Sequence, residues 1–144
     1  MTKIRTNVIT LFTCLLFVSN SYAGAAICIA KAKTPKNNRT DVEYFTRWSG
    51  TANGYKASKA ARKDYKEKYS GTPSCRNTAK LMNGYFVVIQ NTRKNYAGEQ
   101  STTYAFGFGE SRGAAEQDAV EELGRRNWSW KKREGYTVSD VQKF

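Results

Sequence analysis

The stretch "YAFGFGESRGAAEQDAVEELG", from Tyr104 to Gly124, joins alternating aromatic and small residues to an alanine-rich acidic segment. The alternation predicts a strand with its three aromatic rings on one face and alanine and glycine on the other, where another element can pack closely. The spacing of Ala115 and Ala119 predicts a helix that buries both alanines. We therefore interpret the stretch as scaffold: a strand, a glycine turn and a helix.

The same order of elements occurs twice when the sequence is shifted by 58 residues. The shift places Ala57 and Ala61 on the two alanines of the predicted helix. Each half reads as a strand, a polar loop, an aromatic strand, a turn and a helix. Identity between the halves is sparse, so chance agreement is the alternative. The shared order favours duplicated β-β-α units at about 26–69 and 84–126.

The predicted fold class is α+β. We expect one antiparallel sheet of four or five strands with two helices on one face. A short C-terminal strand is predicted in "GYTVSDVQKF" (135–144), because Tyr136, Val138 and Val141 roughly alternate.

Two other interpretations of the glycine-rich stretch are rejected. Its G-x-G-x-x-x-G spacing is one residue longer than a dinucleotide fingerprint, and no parallel β-α-β unit follows. The strand and helix are also similar to the last part of a double-stranded-RNA-binding domain. However, Glu116 and Asp118 stand where that domain needs positive charge to hold phosphates. No cofactor is expected.

The first 23 residues have the three parts of a secretory signal. Lys3 and Arg5 precede an apolar run, and "SYA" (21–23) supplies the small residues of a cleavage site. The apolar run is about half the length that spans a bilayer, which disfavours the alternative of a retained anchor. We expect cleavage to leave a single periplasmic or secreted domain at 24–144 with no stable membrane span.

Three cysteines are present, and Cys14 lies inside the signal. Cys28 and Cys75 remain as an even pair in an oxidising compartment, which predicts a disulfide. Two cysteines in a chain without histidine do not make a normal closed zinc site, and a lone thiol has no imidazole to activate it.

Several of these motifs together resemble a known family. A small apolar strand, an alanine helix, the cysteine segment "SCRNTAKL" (74–81), a glycine-aromatic strand and a second alanine helix follow one another. This order is similar to that of a family of small bacterial exported proteins catalogued only as a domain of unknown function. The similarity covers roughly 26–123, although further cysteines expected in that family are absent. The resemblance implies a fold and a compartment, but no activity.

Net charge is the other strong feature. The chain has a formal charge of +12, and the signal holds two of the 24 basic residues and none of the 12 acidic ones, which leaves +10 after cleavage. Such an excess attracts polyanions or an acidic partner surface. Solubility alone is the alternative explanation.

The best candidate contact segment is "RRNWSWKKREGY" (125–136), in which basic residues surround two tryptophans. Tryptophan offers a flat face to a base, a sugar ring or a membrane interface, and nearby cations hold the anionic part of a ligand. Alternation in an extended segment would place both tryptophans on one face, where they could instead cap the core. The candidate residues are Arg125, Arg126, Trp128, Trp130, Lys131, Lys132 and Arg133.

A second basic surface is predicted on the first helix, about Tyr55 to Tyr69. Helical spacing places its alanines inward and a row of cations outward. A solvated face is the alternative, and part of the charge could be neutralised by the acidic second helix if both helices share one face of the sheet. The members of this lysine ridge are Lys56, Lys59, Arg62, Lys63 and Lys66.

Catalysis has little support in the sequence, which lacks histidine and any serine or cysteine nucleophile motif. A carboxylate pair of Glu43 and Glu99 for glycoside hydrolysis, or a histidine-free nuclease, is a remote alternative. We expect a non-enzymatic binding domain that docks on an acidic envelope protein in an inhibitor or immunity-like role. The alternative partner is an anionic polymer, either an envelope glycan or a nucleic acid. The oligomeric state is left open.

Overall fold

The computed structural model describes residues 24–33, 39–49, 53–79, 81, 83–94 and 96–144. The predicted signal segment lies outside these residues. The first half contains β1 (Gly24–Lys33), β2 (Arg39–Ser49), α1 (Gly54–Lys68) and β3 (Ser74–Asn77). The second half contains β4 (Tyr85–Lys94), β5 (Gln100–Gly109), α2 (Arg112–Arg126) and β6 (Thr137–Lys143).

The α+β class and the predicted C-terminal strand are confirmed, but the strands do not form one sheet. They form two three-stranded antiparallel sheets, in the orders β2-β1-β3 and β5-β4-β6. In each half the first strand is central, the second pairs on one side and the strand after the helix pairs on the other. The two halves therefore share a β-β-α-β topology, and β3 was not predicted.

The two sheets pack face to face, with the helices outside. Ile27 and Ile29 of β1 meet Phe86 and Val88 of β4 in a core between the sheets. The other face of β1 packs on α1, whereas the other face of β4 packs on α2. The layers are therefore helix, sheet, sheet, helix. This corrects the expectation that both helices cover one face of a single sheet.

The helices follow the predicted repeat closely. A shift of 58 residues maps the bounds of α1 onto those of α2. The inward residues correspond as well, because Ala57 and Ala61 in α1 and Ala115 and Ala119 in α2 are all buried. Small residues at these positions allow each helix to lie close to its sheet.

The glycines of "YAFGFG" belong to the scaffold, as the sequence predicts. A Cβ on Gly107 would lie 1.8 Å from the carbonyl oxygen of Ala115 and 2.3 Å from the amide nitrogen of Ala119. The α2 backbone thus occupies the space that a side chain would take. On the opposite face of β5, Phe106 and Phe108 point into the core between the sheets.

The predicted disulfide joins Cys28 of β1 to Cys75 of β3, with the two Cα atoms 4.0 Å apart. These residues are directly opposite one another in the ladder. Beside Cys75, the Arg76 guanidinium donates to the Phe106 carbonyl oxygen on the outer edge of β5 and pairs with Asp118 at 2.9 Å. The disulfide therefore holds β3 where its arginine covers part of that edge, which blocks pairing with another strand.

In the described part of the chain, no helix combines the length and the apolar character needed to cross a membrane.

Candidate functional site

The predicted C-terminal contact segment separates into exposed and buried residues. Trp128 is 87% exposed, whereas Trp130 is only 7% exposed and packs in the core beneath α2. The expectation that both tryptophans lie on one face is wrong, because the segment is not extended. It turns instead, with the amide of Trp130 donating to the carbonyl of Asn127 at 2.9 Å.

Residues 127–136, here called the Trp128 loop, are held at several points. The Trp130 indole Nε1 donates to the carbonyl of Gly135 at 3.0 Å, and the Asn91 side chain donates to the same oxygen at 3.1 Å. Arg93 of β4 donates to both oxygens of Ser129 and forms an ion pair with Glu134. A buried ring and contacts from two β4 side chains thus fix the loop that carries the exposed Trp128.

Arg126, a predicted member of the candidate contact surface, has a largely buried side chain and does not belong to that surface. Its guanidinium donates to Asp41 of β2 at 2.7 Å, and the two side chains are 9% and 5% exposed. A second nitrogen donates to Ser74 at 3.0 Å. Because Arg126 lies at the end of α2, between the two halves of the fold, its charge is neutralised internally.

The other predicted cations of this segment remain at the surface. Arg125 is exposed and bonded to Glu122 at 3.1 Å. Three further cations are exposed and form no ion pair with the described residues. They are Lys131, Lys132 and Arg133. The loop therefore presents one tryptophan ring with three uncompensated positive charges.

A cavity of about 370 Å³ lies between α2 and the Trp128 loop. Its lining includes Val120, Gln117 and Lys132. On another side, the Tyr136 hydroxyl donates to Glu116 at 2.7 Å. That hydrogen bond, with some burial, raises the pKa of Tyr136. No sequence pattern predicted this cavity; Gly113 at the start of α2 is one of its lining residues, and nothing lies within 4 Å of its Cβ position.

The lysine ridge lies on α1 as predicted. All five of its cations are exposed, on the side of the helix opposite buried Ala57, Ala61 and Tyr65. Lys63 lies 3.9 Å from Glu67, and both side chains are mostly exposed. Tyr55, which was not included in the ridge, is 58% exposed at its N-terminal end. Its helical spacing to Lys59 and Lys66, four and eleven residues further on, was the available signal.

The acidic outer face of α2 does not neutralise the ridge. The two helices lie on the outer faces of different sheets, with both sheets between them. Part of the α2 acidity is used elsewhere, because Asp118 accepts from Arg76 and from the Phe108 amide on the edge of β5. Neutralisation of the ridge by α2 required both helices to share one face of a sheet, and that condition is not met. The two basic surfaces lie on opposite sides of the layered fold.

Glu43, one of the two carboxylates considered for glycoside hydrolysis, is engaged in hydrogen bonds that hold the fold together. Its carboxylate accepts from Lys68 at 2.7 Å and from the Tyr69 hydroxyl at 2.8 Å, which join β2 to the end of α1. These hydrogen bonds lower its pKa, whereas a general acid in glycoside hydrolysis needs a raised one. Among the described residues, no group of three or more acidic or cysteine side chains is placed to hold a metal ion.

The fold and its surfaces define a small α+β protein with two exposed cationic faces. The chain matches no protein-family model, and no curated protein or solved structure is significantly similar to it. The family resemblance therefore rests on the short motifs quoted for it.

Proposed function

We propose that this protein is an exported, disulfide-stapled binding domain that docks on an acidic envelope protein through the Trp128 loop, in an inhibitor or immunity-like role. One observation carries the proposal: a loop held by several hydrogen bonds exposes 87% of a tryptophan beside three cations that have no ion-pair partner among the described residues. Tryptophan and arginine are enriched among the residues that dominate the energy of protein interfaces. Exposed cations around such an anchor steer an acidic partner toward it.

The hydrogen bonds of the loop support a docking role. Ser129 and Gly135 accept hydrogen bonds from β4 side chains, and Trp130 donates a hydrogen bond to Gly135 within the loop. A partner therefore meets a surface that loses little conformational freedom on binding, which favours affinity. The adjacent 370 Å³ cavity offers space for a side chain of the partner.

Export is supported by the signal-like first 23 residues and by a disulfide that suits an oxidising compartment. A non-enzymatic role is supported by the absence of histidine from the sequence and by the engagement of Glu43 in structural hydrogen bonds.

An anionic glycan or nucleic acid is the alternative partner, because a tryptophan flanked by cations also stacks on bases or sugars. Surfaces that bind such polymers combine several aromatic rings along a basic groove. The Trp128 loop instead presents, among the described residues, one highly exposed tryptophan ring with separate pockets of about 370 and 310 Å³ beside the loop. This arrangement favours a folded partner over an extended strand.

Affinity capture from envelope extracts tests the proposal. The bait proteins are the wild type, Trp128→Ala and Tyr55→Ala, the last of which removes an exposed ring from the opposite side of the molecule. We expect the wild type and Tyr55→Ala to recover one acidic protein in stoichiometric amount, and Trp128→Ala to lose it. Recovery of glycan or nucleic acid instead would favour the alternative, whereas equal recovery by all three baits would exclude the loop.

A further inference from the structure

We propose that the outer face of α1 is a second and independent binding surface, which holds the protein against an anionic lipid bilayer. This goes beyond docking on a protein partner and does not depend on it, because it concerns residues on the other side of the fold. The surface consists of the lysine ridge and Tyr55.

The geometry of the ridge suits a flat target. From Tyr55 to Lys66 the helix rises by about 16 Å, so the cations form an elongated patch on one helix. The buried stripe of Ala57, Ala61 and Tyr65 faces the sheet, which directs the basic side chains away from the protein. Because the lysine side chains are flexible, the ammonium groups along this outer face of α1 can all contact one flat surface.

The charge on this face is segregated rather than mixed. Lys56, Lys59, Arg62 and Lys66 form no ion pair with the described residues. Of the two acidic residues in α1, Asp64 is bonded to Arg47 of β2, and Glu67 lies beside the ridge at 3.9 Å from Lys63. A surface that serves solubility alone intersperses both signs, whereas this face is almost uniformly positive.

The side-chain types favour lipid headgroups. Four of the five ridge cations are lysines, compact charges on flexible stems that bind phosphate without demanding a fixed geometry. Tyr55 is placed at one end, where an aromatic ring with a polar tip can enter the interface of a bilayer. An open pocket of about 910 Å³ lies along the ridge and is lined largely by the apolar stems of its basic side chains, which can pack at the bilayer interface while their charges reach the headgroups.

Vesicle co-sedimentation tests this inference, with vesicles of phosphatidylcholine alone or mixed with phosphatidylglycerol. The ridge variant Lys56→Gln, Lys59→Gln, Lys66→Gln is compared with Lys131→Gln, Lys132→Gln, Arg133→Gln, which removes the same charge from the Trp128 loop. Each basic residue near an anionic surface contributes about fivefold to binding, so the ridge variant should lose about 100-fold on phosphatidylglycerol vesicles. The loop variant should keep most of its vesicle binding.

Two controls make the comparison specific. Any binding through residues 1–23 is common to the ridge and loop variants, so it cancels when the two variants are compared. The substitution of the same three ridge lysines by arginine keeps the charge and should keep the binding. If the ridge and loop variants lost vesicle binding equally, net charge alone would explain the binding, and the proposal would be overturned. Ridge-dependent binding of inorganic polyphosphate without binding to anionic vesicles would also overturn it.

Discussion

Arg126 at the end of α2 and Asp41 of β2 form a buried ion pair that joins the two halves of the fold. Their side chains approach to 2.7 Å and are both at least nine-tenths buried. The Asp41 carboxylate also accepts from the amide of Tyr104 on the edge of β5. The pair thus links α2, β2 and β5, three elements distant in sequence.

Replacing Arg126 by alanine should strongly destabilise the protein, because Asp41 would remain buried without its counter-charge. Removal of one partner from such a pair costs about 3 to 5 kcal/mol of unfolding free energy. Arg125→Ala is the matched control. Arg125 is an exposed neighbour, so its replacement should lower the free energy of unfolding by less than about 1 kcal/mol. Urea unfolding measures both, and equal losses would show that the burial of Arg126 contributes nothing.

Gly107→Ala should weaken the packing of α2 on β5. The new Cβ would overlap the backbone of Ala115 and Ala119, so the helix must move, at a cost of about 1 to 3 kcal/mol. Gly113→Ala is the control, because nothing lies within 4 Å of its Cβ position and alanine favours a helix. Thermal unfolding should show a lower midpoint for the first variant only; an unchanged midpoint would contradict the close packing.

Substitution of Trp130 should lower the stability of the protein far more than substitution of Trp128. Trp130→Ala removes a buried ring and should cost about 3 to 5 kcal/mol of stability. Trp128→Ala removes an exposed ring and should change stability by less than about 0.5 kcal/mol. Urea unfolding separates the two; a Trp128 variant as unstable as the Trp130 variant would place both rings in the core.

Stability should depend on pH through Glu43. Hydrogen bonds from Lys68 and Tyr69 hold its pKa below the ordinary value of 4.5. The contribution of Glu43 to the free energy of unfolding is therefore complete above pH 4.5, and it is lost as the pH falls through the lower pKa of the folded state. Glu43→Gln should be less stable than the wild type at neutral pH, and the difference should shrink in acid.

Tyr69→Phe removes one of the hydrogen bonds to Glu43 and should give a smaller effect with the same pH dependence. Unfolding measured across the acid range tests both variants. A Glu43→Gln difference that is the same at neutral and acid pH would rule out the carboxylate as its origin.

Local patterns in the sequence predicted most elements and the disulfide, but not the division into two sheets. Strand pairing depends on contacts between distant residues, which periodicity does not report. One signal was present: Ala25 to Ala30 of β1 form an unbroken apolar run, and all six are buried. A strand covered on both faces indicates a layer on each side. The four residues of β3 are too few for a reliable pattern.

The candidate site was predicted only in part, for a similar reason. The basic character of the C-terminal segment was evident, but the fates of Arg126 and Trp130 depended on tertiary contacts. Arg126 meets Asp41, 85 residues away, and Trp130 is turned inward by a reverse turn at Asn127. The lysine ridge was predicted well, because helical periodicity alone determines which side of α1 is exposed.

The most direct measurement of the central claim is oxidative footprinting of Trp128, read by mass spectrometry in isolated protein and in envelope extracts. Trp128 should be oxidised readily in the isolated protein, because it is 87% exposed, and buried Trp130 serves as the internal reference. If the Trp128 loop docks on a partner, Trp128 oxidation should fall sharply in the extract while Trp130 stays low in both samples. Equal oxidation of Trp128 in both samples would contradict the assignment of the loop as the docking surface.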